Sequence, residues 1–152
     1  MDNFDKHILS LLQQDSSLSL AEISEHVGLS QTPCWRRIQH LEKSGVIRKR
    51  VALLDSKQLN VGLTVFVNLK TNQHNPEWVD SVNHFASGSP EVTEFYRMSG
   101  DTDYLLKVLV PDMAAYDEFY KKLISQAGFS DVSSSFAMEQ MKYSTEIPLT
   151  HC

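Results

Sequence analysis

The chain has 152 residues, 41% of them hydrophobic and 22% charged, with a formal net charge of −5, which suits one or two small globular domains and excludes wholesale disorder. No apolar run approaches the ~20 residues of a membrane helix, and the acidic start MDNFDKHILSLLQQD has no cleavable apolar core, so neither a membrane span nor a signal peptide is expected. Cys34 and Cys152 lie too far apart in sequence to suggest a disulfide framework, which makes a reducing cytoplasm the expected setting.

Charge is unevenly spread. Residues 1–50 carry seven basic and six acidic side chains, residues 51–60 one of each, and residues 61–152 six basic and twelve acidic. Six Lys or Arg and one acidic residue fall between Ser30 and Arg50. The expectation is a basic-tipped N-terminal unit joined to an acidic C-terminal one.

Three helical patterns open the chain. Phe4, Ile8, Leu11 and Leu12 recur at the spacing of one helix face. Ser19-Leu20-Ala21-Glu22 is a capping box, Ile23 and Val27 continue a buried side, and Gly28 supplies a turn. Ser30 is an N-cap candidate for the third helix, with Pro33 suited to its first turn.

Sorted at about 100° per residue, the third helix puts Cys34, Ile38 and Leu41 on one narrow stripe, so Cys34 reads as a small buried hydrophobe rather than a reactive thiol. Thr32, Arg36, Gln39, His40 and Lys43 fall opposite, with Arg37 on one shoulder and Trp35 on the other. A long-armed, donor-rich face of this kind suits phosphates and guanine edges in a major groove. Helix, short Gly-containing turn and exposed helix together make a helix-turn-helix. The β-rich stretch VIRKRVALLD is expected to form a wing or short strand carrying Arg48, Lys49 and Arg50. From the residues alone, Trp35 packs against that wing.

From Leu63 the pattern becomes strand, helix, strand, strand, helix, strand. Strands are expected at 63–71, 92–100 and 103–111, the last two joined by a turn at Gly100-Asp101-Thr102, with helices at 75–89 and 113–128. A long strand or pair of strands over 132–149 ends the chain. The buried sides of the two helices are read as Trp78, Val82 and Phe85, and as Met113, Tyr116, Tyr120 and Leu123. The fold class is therefore α+β, a winged helix-turn-helix over 1–50, a short structured linker over 51–62, and a ferredoxin-like βαββαβ sandwich over 63–152. Leu and Val occupy both parities of strand 103–111, which predicts burial on both sheet faces and hence a dimer through the sheet.

Catalytic and metal signatures do not appear. The six histidines (7, 26, 40, 74, 84 and 151) and two cysteines lack metal-ligand spacing, and G-x-S-x-G, Walker and dinucleotide motifs are missing. No enzyme activity, metal or resident cofactor is expected. A sandwich that only binds amino acids is the rival to a regulator.

LSLAEISEHVGLSQTPCWRRIQHLEKSGVI, MSGDTDYLLKVLVPDMAAYDEF and SSFAMEQMKYST together resemble the Lrp/AsnC (feast/famine) family of bacterial transcription regulators over nearly the whole chain. TPCW and SSFAMEQMKY look most like a cysteine-responsive branch of that family that activates cysteine detoxification. The resemblance implies binding to double-stranded DNA, homodimers built on the sheet and associating into octamer-like discs, and an amino-acid effector, cysteine in this branch. It places Ser30, Gln31, Thr32, Pro33, Trp35, Arg36, Arg37 and His40 at or near DNA, with Arg36 toward a base edge and Arg37 toward a phosphate. It places the effector between dimers, at Arg97, Met98, Gly100 and Asp103 of the hairpin with Ser134, Ser135, Phe136 and Ala137 from nearby chains. Chemically, Gly100 lets backbone amides approach a carboxylate, Asp103 can pair with an ammonium, and the hydroxyls of Ser133 to Ser135 add hydrogen bonds. Without the resemblance, SGDTD reads first as a plain hairpin turn.

Overall fold

A computed structural model describes residues 1–73, 75–126 and 128–152. The chain divides into two compact units, Met1–Leu53 with Met141–Cys152, and Leu54–Gln140. The C-terminal twelve residues thus return to the N-terminal unit instead of extending the sandwich to residue 152.

In the first unit, α1 (Asn3–Gln14), α2 (Leu20–Val27) and α3 (Gln31–Lys43) follow in the expected order. Ser19 caps α2: the Glu22 N–H donates to Ser19 Oγ at 3.3 Å, and the Ser19 N–H donates to Glu22 Oε2 at 2.7 Å. Gly28 ends α2 at φ +75, a left-handed conformation that a Cβ would strain, and this turns the chain into α3. α1 has a second, unforeseen capping box between Asp2 and Asp5. The core is Ile8, Leu9, Ile23, Val27, Cys34, Ile38 and Leu41, with Leu149 of the C-terminal segment packed against it. Phe4, expected on the buried face, is largely exposed. Residues 46–55 form no strand, so of the wing or short strand expected there the strand is not formed; the Ile47 N–H donates to the Leu41 carbonyl and closes the end of α3.

In the second unit, β1 (Leu63–Thr71), α4 (Pro76–Gly88), β2 (Val92–Arg97), β3 (Tyr104–Val110), α5 (Met113–Ser125) and β4 (Phe129–Phe136) give the βαββαβ order. The sheet runs β2-β3-β1-β4, each neighbour antiparallel. Asn75 caps α4 by accepting the Trp78 N–H, and Pro76 takes the first helical position, where its missing N–H costs nothing. Alternation on β1 and β3 buries Val65, Val67 and Leu69 with Tyr104, Leu106, Val108 and Val110 against Trp78, Val82, Ala86, Tyr116, Phe119 and Leu123. Phe119 replaces Met113 in that core; Met113 is exposed, and Phe85 and Tyr120 pack at the margin. α5 ends at Ser125, and the part of the expected helix on Ala127 lies outside the described residues. β4 stops at Phe136, so of the long strand or pair of strands expected over 132–149 only 132–136 is strand. Within residues 51–62, Asp55 Oδ1 accepts the N–H groups of Lys57 and Gln58 in a turn.

Candidate functional site

α3 presents the first group of candidates. Cys34, Ile38 and Leu41 are buried, which turns the opposite face outward. Ser30, Gln31, Thr32, Pro33, Trp35, Arg36 and His40 are all exposed, and Trp35 keeps 51% of its surface in solvent instead of packing on a wing. Ser30 occupies the N-cap with extended backbone, yet its side chain makes no capping hydrogen bond. Pro33 has no N–H and the Cys34 N–H donates to the Ser30 carbonyl, so the Gln31 and Thr32 N–H groups are the two left uncapped at the positive end of the helix dipole, an arrangement that favours anions.

Arg37, the residue expected at a phosphate, is paired within the helical unit. Its Nη1 lies 2.7 Å from Asp2 Oδ2 and 2.7 Å from Asp5 Oδ1, and its guanidinium carbon sits 5.3 Å over the Phe4 ring. These side-chain hydrogen bonds to Asp5 and Asp2 raise the Arg37 pKa above its ordinary value. The guanidinium is directed at Asp2 and Asp5 at the start of α1. The DNFD start of α1 and the shoulder position of Arg37 were both visible in the sequence, but the angle between α1 and α3 was needed to join them.

Cys34 is fully buried, and burial raises its thiol pKa; the positive charge of Arg37 lowers it by less. It packs as a core side chain. Arg48, Lys49 and Arg50 are exposed beyond α3, and Arg50 pairs with Glu42 at 3.1 Å.

The second group lies on the sandwich. The Met98 N–H donates to the Asp103 carbonyl at 2.8 Å, closing the hairpin, and Gly100 turns within it at φ +118 with open space around it. Any side chain there would meet backbone strain and nothing else. Asp103 is tied inward: its N–H donates to the Leu69 carbonyl, and its Oδ2 accepts the Thr71 N–H at 2.9 Å. Thr71, buried, donates through Oγ1 to the Gly128 carbonyl at 2.8 Å. Arg97 and Met98 are exposed beside the turn.

On β4 the strand alternation separates the candidates. Ser134 lies opposite Val67 on the helix side, hydrogen-bonded to the Tyr116 hydroxyl, and Phe136 packs edge-on against Tyr116. Ser135 lies opposite Phe66, on the uncovered face. Ala137 donates its N–H to the Thr64 carbonyl. Tyr104 pairs with Leu69, so Asp103 is level with Lys70, six residues along β1 from Thr64. At about 3.3 Å per residue, the hairpin and Ala137 are about 20 Å apart within one chain. One chain does not bring the two halves of the expected pocket together.

The uncovered face of the sheet carries Phe66 and Tyr96, both exposed, with Leu105 and Leu109 half-buried. Tyr96 donates its hydroxyl to Glu94 Oε2 at 2.5 Å, and Lys107 Nζ donates to Glu94 Oε1 at 2.7 Å. Those two bonds, Lys107 first, hold the Glu94 carboxyl below its ordinary pKa. Among the described residues no group of three or more His, Cys, Asp or Glu could hold a metal ion, and no helix is long and apolar enough to cross a membrane.

Known proteins match this architecture throughout. The family model of the Lrp/AsnC ligand binding domain matches residues 64–147, and that of winged helix-turn-helix DNA-binding domains matches residues 1–48. The chain is 49% identical to the DNA-binding transcriptional activator DecR of Escherichia coli (strain K12), over 98% of this chain and 99% of that one. It is also 49% identical to the glutamate uptake regulatory protein of Zymomonas mobilis, over 98% of this chain and 91% of that one. A transcriptional regulator of Neisseria meningitidis, solved as its complex with L-Met, superposes with a TM-score of 0.95 at 35% identity, over 99% of this chain and 98% of that one. The chain belongs to the Lrp/AsnC family and is a DNA-binding transcriptional regulator, with a helix-turn-helix followed by a ligand-binding domain.

Proposed function

We propose that the outer face of α3 reads operator DNA and that a small amino acid, cysteine first among candidates, shifts the affinity or the assembly of the regulator. The observation that carries the DNA part is the burial of Cys34, Ile38 and Leu41 with the exposure of Ser30, Gln31, Thr32, Pro33, Trp35, Arg36 and His40. Arg36 then approaches a base edge, while the open first turn of α3 takes the phosphate role first assigned to Arg37. The relative solved with L-Met supports an amino-acid effector, and the TPCW and SSFAMEQMKY wording favours cysteine.

The effector site draws Arg97, Met98, Gly100 and Asp103 from one chain and Ser134, Ser135, Phe136 and Ala137 from others. Along β1 the hairpin lies about 10 Å from Ser134 and about 20 Å from Ala137, which supports that division. Dimers form through the uncovered sheet face and associate further, an octamer being the expected size. The protein acts in the cytoplasm as a regulator, without catalysis.

Titrating the intact chain into operator DNA in the presence of each of the twenty amino acids in turn tests this reading. Cysteine should change affinity or assembly state more than the other nineteen. If no amino acid alters either quantity, the sensing half is wrong; if no duplex is retained at all, the DNA half is wrong.

A further inference from the structure

We infer that Asp2 and Asp5, two acidic residues of the DNA-binding unit, are positioning residues for DNA recognition, acting through Arg37 to set the angle at which α3 presents Arg36. The inference rests on the reading of α3 as the helix offered to DNA. It starts from how little else restrains α3. The helix buries only Cys34, Ile38 and Leu41, a narrow stripe with one small member. A stripe so narrow resists translation of the helix better than rotation about its own axis. A restraint on the shoulder is what opposes rotation, and Arg37 occupies that shoulder.

Both oxygens of each carboxylate are engaged in the restraint. Asp2 Oδ1 accepts the Asp5 N–H at 3.0 Å, and Asp5 Oδ2 accepts the Asp2 N–H at 3.3 Å, so one oxygen of each carboxylate starts α1. The other oxygen of each, Asp2 Oδ2 and Asp5 Oδ1, lies 2.7 Å from Arg37 Nη1. Phe4, between them in sequence, supplies the ring beneath the guanidinium. Neither carboxylate can move without breaking the cap, and Arg37 cannot leave without unpairing both. The triad of Asp2, Asp5 and Arg37 carries a net charge of −1, which by itself opposes a polyanionic partner. Electrostatics alone therefore predicts that neutralising the aspartates tightens DNA binding, whereas a positioning role predicts weaker binding to the specific site.

That opposition of sign supplies the test. The intact chain is titrated against an operator duplex that the unmodified chain has selected from a random-sequence pool, and against a scrambled duplex of equal length, at several salt concentrations. Combining Asp2→Asn with Asp5→Asn keeps a good N-cap at residue 2 while removing both charges. Operator affinity should fall about two- to fivefold, the range of an exposed ion pair, while scrambled-duplex affinity stays constant or rises. Arg37→Ala should lower the same operator-to-scrambled ratio without altering the salt dependence. Tighter binding to both duplexes in the double variant would overturn the inference. So would equal weakening on both in step with a lower melting temperature, which means the cluster serves folding only. A salt slope reduced by about one in Arg37→Ala would return Arg37 to a phosphate. Arg36→Ala separates this inference from the reading beneath it. If Arg36→Ala leaves operator affinity unchanged, α3 is not the reading helix and both fail; if it weakens the operator while the double variant tightens both duplexes, only the positioning role fails.

Discussion

Gln13 and Ile147, 134 residues apart, hydrogen-bond twice. The Ile147 N–H donates to Gln13 Oε1 at 2.6 Å, and Gln13 Nε2 donates to the Ile147 carbonyl at 3.3 Å. A side-chain amide here mimics the pairing of one strand with another, and Leu149 packs two residues later against the helical core. The C-terminal segment is therefore a strap across α1.

Truncation after Gln140 should destabilise the helical unit. Two exposed hydrogen bonds and one partly buried leucine make the expected loss about 1–2 kcal/mol. Gln13→Ala should give roughly half of it, about 1 kcal/mol. Thermal unfolding of the full chain, its truncation and the Gln13→Ala variant checks this; superimposable melts would mean the strap contributes nothing.

Cys34 sets an alkaline limit on stability. Its thiol is fully buried, and burial raises its pKa above the ordinary 9.0. A neutral thiol is then favoured in the folded state, so its contribution is complete below pH 9.0 and declines as pH rises toward the raised folded value. Cys34→Ala should flatten that decline, and Cys34→Ser should cost about 1–3 kcal/mol by exchanging a buried thiol for a more polar hydroxyl. Denaturant melts between neutral and alkaline pH read both. In the native chain a thiol reagent should label Cys152, which is exposed, well before Cys34.

Asp103→Asn should separate structure from sensing. The carboxamide keeps an oxygen to accept the Thr71 N–H, so the melting temperature should hardly move. If the carboxylate pairs with the ammonium of the effector, the response to amino acids should be lost in this variant while DNA binding without effector persists. A full amino-acid response in Asp103→Asn would remove Asp103 from the site. Asp103→Ala, which loses both roles, should also melt lower.

Leu109 tests the uncovered face. It sits half-buried opposite Thr64, beside Phe66 and away from the helices. A buried leucine is worth about 1.5–3 kcal/mol, and in a two-fold interface that term counts once per subunit. Leu109→Asp should therefore shift the chain to monomer in sedimentation experiments and weaken its hold on a palindromic duplex. An unchanged sedimentation coefficient would place the dimer contact elsewhere.

Some of this was legible in the residues. The stripe of Cys34, Ile38 and Leu41, the Ser19–Glu22 box and the Gly100 hairpin depend on spacing within about ten residues, and the structure has each of them. The end of the chain was not legible, because VSSSFAMEQMKYSTEIPL has β-rich composition throughout. Only the position of Leu149 and Ile147 against α1 shows where strand stops and strap begins. Ser134 and Ser135, both placed at the effector site by the resemblance, lie on opposite faces of the sheet, as a period of two requires.

The sequence by itself determined the order of elements and the exposed basic face of α3, since local periodicity and capping chemistry do not need distant partners, and its motifs carried the resemblance to the family. The tertiary structure decided the use of Arg37 and of Asp103. Each is a long-range choice: whether a charge finds a carboxylate or an N–H across a helix or strand contact depends on packing angles that no local spacing encodes. The same guanidinium that the sequence offers to a phosphate is, once α1 packs beside α3, already held by Asp2 and Asp5.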